Sequence, residues 1–210
     1  MNIDTYLISL ESRKDRRDES LFNLEEIGIN KKFINIINAL YTPSNGAIGC
    51  AKTHAFALSN FLFYSDSDYC LILEDDFAPL DVEKFKSGLK NVLISDLDWD
   101  VVMLASNMAV PLEASTVPGL FKVINAQTAS AYLVSRKFAP VLTRLFYESG
   151  NNNSQYLKIL DRKTCNHFFA IDMIWKNLQL TNNFFAFLPQ ISVQRPSFSD
   201  IEKKLVNYGV

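Results

Sequence analysis

The chain has 210 residues, of which 48% are hydrophobic and 21% charged, and this balance is typical of a folded protein rather than a disordered one. This length predicts one domain spanning residues 1–210. The net charge of -2 argues against a general nucleic-acid binder, which needs many cationic phosphate contacts. Three scattered cysteines, no signal-peptide pattern and no long apolar run predict a cytoplasmic protein, with peripheral contact at the inner face of a membrane left open.

The first half of the sequence alternates short apolar runs with amphipathic segments. Residues 5–10 and 33–37 have the length and composition of buried strands. Between them, Lys14–Ile27 carries one apolar face and is followed by Gly28, which predicts a helix with a glycine cap. A helix over about 47–64 and a buried strand over 69–73 follow.

The second half continues the alternation less regularly. Strands are predicted at 101–104 and 129–134, a helix from Ser135 to about 147, a break at 151–153, a helix starting near Asp172 and a last strand from Phe184. Residues 105–119 are predicted to form a long surface loop, a kind of segment that is often functional. The pattern predicts an α/β fold, with a mixed, mainly parallel sheet flanked by helices.

The strongest chemical signal is the acidic triplet Glu74, Asp75 and Asp76, directly after the strand at 69–73. This position predicts a place at the carboxyl edge of the sheet, where open α/β sheets bind ligands, with Asp76 facing solvent. Carboxylates there suit Mg²⁺ or Mn²⁺ together with substrate phosphates. On these residues alone, a solvated acidic turn is an equal alternative.

Basic residues follow the first strand, and Arg13 is the nearest of them to the strand end. An arginine fork matches phosphate geometry, so Arg13 is the candidate to hold a nucleotide, while Lys14, Arg16 and Arg17 fit a helical turn facing water.

Two further polar residues have open roles. His54 shares a helix face with Cys50, but no other soft ligands nearby complete a metal site, so His54 either lines a binding site or is a satisfied core histidine. Asp172 lies in an apolar context and is either a helix cap or an acid or base, and the residues alone favour the cap.

Seven pieces of the sequence, in order, resemble glycosyltransferase family 25, which includes bacterial lipooligosaccharide galactosyltransferases and collagen galactosyltransferases. They lie at 6–17, at 46–54 (Gly-Ala-Ile-Gly-Cys-Ala-Lys-Thr-His), at 71–76, at 98–100 (Asp-Trp-Asp), at 131–136, at Asp172 and at 199–201 (Ser-Asp-Ile). Thr53 replaces the usual serine of the second piece.

The resemblance implies a GT-A-type fold, a nucleotide-sugar donor and an inverting transfer dependent on Mn²⁺ (or Mg²⁺). UDP-galactose is the family's commonest donor, and the acceptor would be a glycan, a lipooligosaccharide or a hydroxylysine-type side chain.

By the same resemblance, each candidate residue has a role. Asp76 would contact the metal with Glu74, and Asp75 would lie near the ribose or the sugar. Asp172 becomes the candidate base rather than a cap. Two further roles come from position rather than from the resemblance: Asp200, in the C-terminal tail, is a candidate to close over the donor, and His54 is a candidate to line the sugar or acceptor site.

Two other classes of function remain open from the sequence. One is an inactive domain that only binds a glycan or nucleotide, although such a domain has no need of three adjacent carboxylates that repel one another. The other is a nucleotidyltransferase, which usually has a glycine-rich phosphate loop after its first strand. Residues 12–17 contain no glycine.

Overall fold

The central feature of the fold is an eight-stranded sheet, seen in a computed structural model that describes residues 1–199 and 204–206. The first half of the chain forms β1 (Asp4–Ser9), α1 (Lys14–Ile27), a 3-10 helix (Lys31–Phe33), β2 (Ile34–Asn38), α2 (Gly46–Tyr64), β3 (Tyr69–Glu74), β4 (Phe77–Pro79) and α3 (Val82–Ile94). The second half forms β5 (Val101–Met103), β6 (Val110–Ala114), β7 (Leu120–Ile124), β8 (Ala131–Ser135), α4 (Ala139–Tyr156), α5 (Arg162–Phe169), α6 (Ile171–Ile174), α7 (Lys176–Gln179), β9 (Phe184–Phe187), β10 (Ser192–Gln194), β11 (Ser197–Ser199) and β12 (Lys204–Val206).

The strand order of the large sheet is β2-β1-β3-β8-β5-β9-β7-β6. Strand β1 pairs in parallel with β2 and β3, and β5 pairs in parallel with β9, whereas β8 and β7 run antiparallel to their neighbours. Within the described residues, six of the eight strands therefore run in one direction. The predicted α/β fold with a mixed, mainly parallel sheet is confirmed.

Apolar side chains alternate between the two faces of the sheet and form two cores. Tyr6 and Ile8 of β1 belong to the core covered by α2 and α4, while Leu7 belongs to the core covered by α1 and α3. This alternation is the two-residue period of a strand buried on both faces. Helices on both faces leave the strand ends at the carboxyl edge as the place where polar loops meet.

A local signal fixes the end of α1 as the sequence predicts, whereas the predicted helix start at Ser135 is wrong, because Ser135 ends β8 and α4 begins at Ala139. Gly28 adopts a φ of 82°, and its backbone N–H and that of Ile29 close the last turn of α1 on the carbonyls of Glu25 and Leu24. A side chain at this position would be strained, which is why glycine ends the helix.

Two predicted irregular segments are regular in the structure. Residues 105–119 were expected to form a loop but contain β6, an exposed edge strand that pairs with β7 and shifts register between Pro111 and Glu113. An edge strand tolerates proline because its outer N–H groups need no partner in the sheet. The predicted break at 151–153 lies inside α4, where Asn153 is buried and hydrogen-bonded to Asn45. These tertiary contacts outweigh the low helix propensity of asparagine.

No helix among residues 1–199 is both long and apolar enough to span a membrane.

Candidate functional site at the carboxyl edge of the sheet

The acidic triplet lies where β3 ends beside β1, and Asp75 is tied to that neighbouring strand. The hydroxyl of Ser9, at the end of β1, donates to Oδ2 of Asp75 at 2.8 Å. Nη1 of Arg16 lies 3.3 Å from Oδ1 of the same carboxylate. Burial raises the pKa of Asp75, while the Ser9 hydrogen bond and the Arg16 charge act in the opposite direction. Asp75 is thus a buried carboxylate whose orientation is fixed by Ser9 and by the guanidinium of Arg16.

Asp76 is buried, with 7% of its surface exposed, and the predicted solvent-facing position is wrong. The cause is the pairing of β4 with β10, which places Gln194 opposite Phe77. From there, Nε2 of Gln194 donates to Oδ2 of Asp76 at 3.1 Å. Oδ1 of Asp76 is also buried and has no hydrogen-bond partner among the described residues. Burial, followed by the charge of Glu74, raises the pKa of Asp76 to about 7. A buried carboxylate oxygen without a donor is costly and favours a bound cation.

Glu74 is oriented from the opposite side by His54. Nε2 of His54 lies 2.9 Å from Oε1 of Glu74, and Nδ1 lies 3.0 Å from the hydroxyl of Tyr132. The His54 side chain is fully buried, so it acts on the site through Glu74 rather than by lining it. The thiol of Cys50 donates to the same Oε1 at 3.6 Å. Among the described residues Oε2 of Glu74 has no partner, and Glu74 keeps a quarter of its side chain exposed.

The segment 46–54, at the start of α2, makes contacts on two faces of that helix. On one face of α2, Thr53 Oγ1 accepts from the backbone N–H of Leu40 at 2.9 Å and donates to the Gly49 carbonyl at 2.7 Å. A Cβ on Gly49 would lie 1.9 Å from the Leu40 carbonyl oxygen, so only glycine permits this approach. On the other face, one residue further along the helix in each case, Cys50 and His54 reach Glu74. The motif therefore docks α2 and positions the first acid.

Cys50, His54 and Glu74 also form a group of possible metal ligands. Among the described residues, one ligand atom from each lies within 4.8 Å of the others. Burial, and then the charge of Glu74, raise the pKa of the Cys50 thiol well above its usual value. Because metals bind the thiolate, this environment favours the thiol as a hydrogen-bond donor to Glu74 over a metal ligand.

A cleft of about 540 Å³ opens beside the triplet and contains Asp172 as well as Glu74. Its lining also includes Cys50, Gln194, Thr128 and, from α5, Arg162, Lys163, Asn166 and His167. Asp172 is not a helix cap, because Ala170 occupies the N-cap of α6. Its Oδ2 accepts from the backbone N–H of Thr128 at 3.4 Å, and burial raises its pKa. The structure therefore brings the first acid of the triplet and the distant Asp172 to one cleft.

The basic residues after β1 take different positions. Arg13 lines a second cleft of about 790 Å³ together with Tyr41 and the loop at 10–14. Arg16 instead turns toward the acids, with Nη1 3.3 Å from Asp75 and 3.9 Å from Asp76.

Arg195 and Gln194 are site residues that sequence reasoning missed. Nη2 of Arg195 donates to the Asp75 carbonyl at 3.0 Å, its backbone N–H donates to the Asp76 carbonyl at 2.7 Å, and it pairs with Glu19. No local motif marks this segment, since its place depends on the pairing of β10 with β4.

The remaining two pieces of the family resemblance are 98–100 and 199–201. Asp200, in the second of these, is outside the described residues. Asp98 and Asp100 precede β5 and lie at the amino edge of the sheet, where they contact Lys137 and Asn183. Their role there is structural.

Comparison with solved structures shows the fold. Residues covering 97% of this chain match 97% of a glycosyltransferase involved in glycosylation of the major capsid of PBCV-1, with a TM-score of 0.53 and 8% identity. The match to a mannose-1-phosphate geranyltransferase from Thermus thermophilus covers 96% of this chain and 76% of that protein's chain, with a TM-score of 0.52 and 9% identity. No protein-family model and no curated protein sequence matches the chain. The GT-A-type fold is thus confirmed, and membership of family 25 stays a prediction.

Proposed function

We propose that the protein is a glycosyltransferase that transfers a sugar from a nucleotide donor to an acceptor hydroxyl. The observation that carries this proposal is the cleft at the carboxyl edge of the sheet, which joins Glu74 to Asp172 next to the buried Asp76. A nucleotide sugar needs neutralisation of its diphosphate, and an acceptor needs a base. We assign the first task to the triplet and the second to Asp172.

The triplet is proposed to hold Mn²⁺ or Mg²⁺. Its donor set fits a hard cation, because Oδ1 of Asp76 and Oε2 of Glu74 are carboxylate oxygens without a partner among the described residues. Such a cation, when bound, offsets the charge that develops on the departing nucleotide. His54 and Cys50 keep Oε1 of Glu74 fixed, so that Oε2 stays oriented without the entropy cost of a mobile side chain.

Donor recognition is assigned to the residues around β1. Asp75 lies between Ser9 and Arg16, and in our proposal it faces the ribose or the sugar. Arg13 lines the neighbouring cleft with Tyr41, where a guanidinium can contact a diphosphate or pack against a nucleoside. Asp200, which belongs to the C-terminal Ser-Asp-Ile piece, is proposed to contact the donor.

Asp172 is proposed as the general base. Its carboxylate lines the cleft apart from the triplet, and its pKa is raised by burial, which makes it a stronger base than an ordinary aspartate. A base on the acceptor side fits direct displacement with inversion at the sugar carbon. UDP-galactose is the proposed donor and a glycan hydroxyl the proposed acceptor, both on the strength of the sequence resemblance.

A donor screen tests the proposal. The purified protein is incubated with a panel of UDP- and GDP-sugars, with Mn²⁺ or with EDTA, and release of nucleotide is measured. We expect release from one donor class, UDP-galactose first, that depends on the cation. No release from any donor, with UDP binding retained, would favour an inactive binding domain. Pyrophosphate release from a nucleoside triphosphate and a sugar 1-phosphate would favour a nucleotidyltransferase.

A further inference from the structure

Part of the wall of the cleft is formed by α5, and this part carries cations. Arg162 and Lys163 in the first turn of α5 both line the cleft, as do Asn166 and His167 one turn later. Within residues 1–196, no carboxylate forms an ion pair with Arg162 or Lys163. The cleft therefore contains cations without an ion-pair partner in this range as well as the carboxylates of Glu74 and Asp172.

A buried amide cluster fixes this cationic wall. Nδ2 of Asn45 donates to Oδ1 of Asn153 at 2.8 Å and to Oδ1 of Asn166 at 2.6 Å, and Nδ2 of Asn153 donates to the same Oδ1 of Asn166 at 3.3 Å. Asn45 is also the N-cap of α2 through its Oδ1. The cluster therefore ties α5 to α4 and to the start of α2, the helix that contributes Ala47 and Cys50 to the cleft.

The same cluster determines what Asn166 offers a ligand. Its oxygen already accepts two hydrogen bonds, while its Nδ2 group has no partner among the described residues, and the residue lines the cleft. Asn166 can thus give the cleft a donor but no free acceptor. Asn166 lies four residues after Arg162 and three after Lys163, so it is a neighbour of both on the helix surface. The guanidinium, the ammonium and the amide group together give the cleft three donors.

We infer that the acceptor carries an oxyanion, either a phosphate or a carboxylate, which α5 binds through Arg162, Lys163 and the amide of Asn166. This inference rests on the proposed function, and it names the acceptor class. The anionic group on the α5 side fixes the acceptor so that a hydroxyl on its other side faces Asp172. A neutral glycan leaves both cations without a partner, and so it binds more weakly. Anionic charge on the acceptor is therefore a specificity determinant.

The inference is tested by binding, so that it does not depend on turnover. Matched probes are titrated into the protein and followed by NMR: methyl glucoside against methyl glucuronide for the carboxylate, and glucose against glucose 6-phosphate for the phosphate. We expect the charged member of at least one pair to bind about 10-fold or more tightly than its neutral partner, the effect of a hydrogen bond to a charged group. The pair that shows the difference identifies the oxyanion.

Three variants assign the effect to the α5 wall. Arg162→Gln and Lys163→Gln, which leave the Asp161 cap of α5 intact, should each remove most of the preference for the charged probe. Lys158→Gln changes the same charge at an exposed position outside the cleft and should leave the preference unchanged. Equal binding of charged and neutral probes, no binding of any charged probe, or an equal effect of Lys158→Gln would overturn the inference.

Binding of UDP with Mn²⁺ is measured in parallel on the same samples. If the wild-type protein does not bind UDP, the proposed function is contradicted. If it binds UDP but does not discriminate between charged and neutral probes, only the oxyanion site is contradicted. If Arg162→Gln or Lys163→Gln weakens UDP binding by the same factor as probe binding, the cations belong to the donor diphosphate and the acceptor assignment is wrong.

Discussion

Nε2 of the fully buried His54 lies 2.9 Å from Oε1 of Glu74, while its other ring nitrogen contacts the hydroxyl of Tyr132. One histidine thus connects the core of the protein to the first acid of the site. Because both partners lie in or beside a buried environment, removal of the ring leaves two polar groups without their partner and opens a cavity.

We predict that His54→Ala lowers the free energy of unfolding by about 3 kcal/mol or more, the sum of a cavity and an unsatisfied buried hydroxyl. Tyr132→Phe, which removes only one hydrogen bond, should cost about 1 kcal/mol. Urea denaturation measures both. The matched control is His167→Ala, at an exposed position on α5, which should change stability by no more than about 0.5 kcal/mol. Equal effects of the two histidine variants would contradict this account.

Gly49 permits the close approach of α2 to residue 40, and its replacement gives a second prediction. Gly49→Ala would place a Cβ 1.9 Å from the backbone oxygen of Leu40, so the helix must shift, and we expect a loss of several kcal/mol in stability. Gly150→Ala in α4 is the control, since its nearest contact is Cγ of Lys52 at 3.0 Å, which needs to give by only a few tenths of an ångström, and alanine favours a helix by about 1 kcal/mol. Thermal melting of both variants decides the matter; similar melting temperatures would refute the steric argument.

The features that the sequence predicts well are those with local causes. The helix α1 has the predicted bounds because its apolar face and Gly28 lie within a few residues of each other. The acidic triplet is found at the carboxyl edge of the sheet because a buried strand directly precedes it. Strand alternation likewise follows from composition over short windows, and so the fold class could be predicted.

The features that the sequence missed depend on contacts between distant segments. Gln194 and Arg195 reach the acids only through the pairing of β10 with β4. Asn153 looked like part of a break, yet Asn45 and Asn166 satisfy its amide inside α4. Asp76 was expected to face solvent because nothing local indicates that Gln194 covers it. In each case a tertiary hydrogen bond overrides the local preference.

Asp76→Asn tests the cation site. An asparagine oxygen can still accept from Gln194, so we expect the fold to be retained while cation-dependent transfer is lost, because the charged ligand is gone. Nucleotide release over a titration of Mn²⁺ measures the effect. Asp98→Asn, at the amino edge of the sheet beside Lys137, is the control and should keep full activity. Wild-type activity of Asp76→Asn at saturating Mn²⁺ would remove Asp76 from the cation site.

Under the proposed function, Arg13 and Arg16 are alternative candidates to contact the donor diphosphate. Arg13→Ala is expected to raise the donor's apparent KM by about 10-fold to 150-fold, the range for a hydrogen bond to a charged group. Arg16→Ala removes a guanidinium from 3.3 Å of Asp75, so it should alter stability as well as donor binding. Steady-state kinetics with both variants separate the roles. An effect of Arg16→Ala on KM without one of Arg13→Ala would transfer the assignment to Arg16.

The last prediction concerns Asp172 as the general base. Asparagine keeps the shape of the side chain and its oxygen for the Thr128 N–H, so Asp172→Asn should fold normally while kcat falls by about 10²-fold to 10⁴-fold. Affinity for UDP with Mn²⁺, measured by calorimetry, should not change. Glu148→Gln, which removes an exposed carboxylate paired with Arg144, is the matched control and should leave kcat unchanged.

The pKa of Asp172 gives this prediction a pH dependence. Burial raises the pKa in the folded protein above its value in the unfolded chain, so the folded state holds the proton more tightly between the two values. As pH rises through that interval, ionisation of Asp172 therefore lowers the free energy of unfolding. Below the interval the group is protonated in both states and has no such effect. Asp172→Asn should be at least as stable as the wild type at neutral pH, with the two curves meeting in acid. Wild-type kcat should rise with pH through the folded-state pKa.

These two pH profiles separate a base from a structural or donor-binding role. If Asp172 stabilised α6 as an ionised group, the asparagine variant would melt lower at neutral pH, in the opposite direction to the one expected. If it bound the donor, UDP affinity would fall together with kcat. Either result would remove Asp172 as the base, and Asp200 would be the next carboxylate to replace, because Glu148 is paired with Arg144 and Asp161 caps α5.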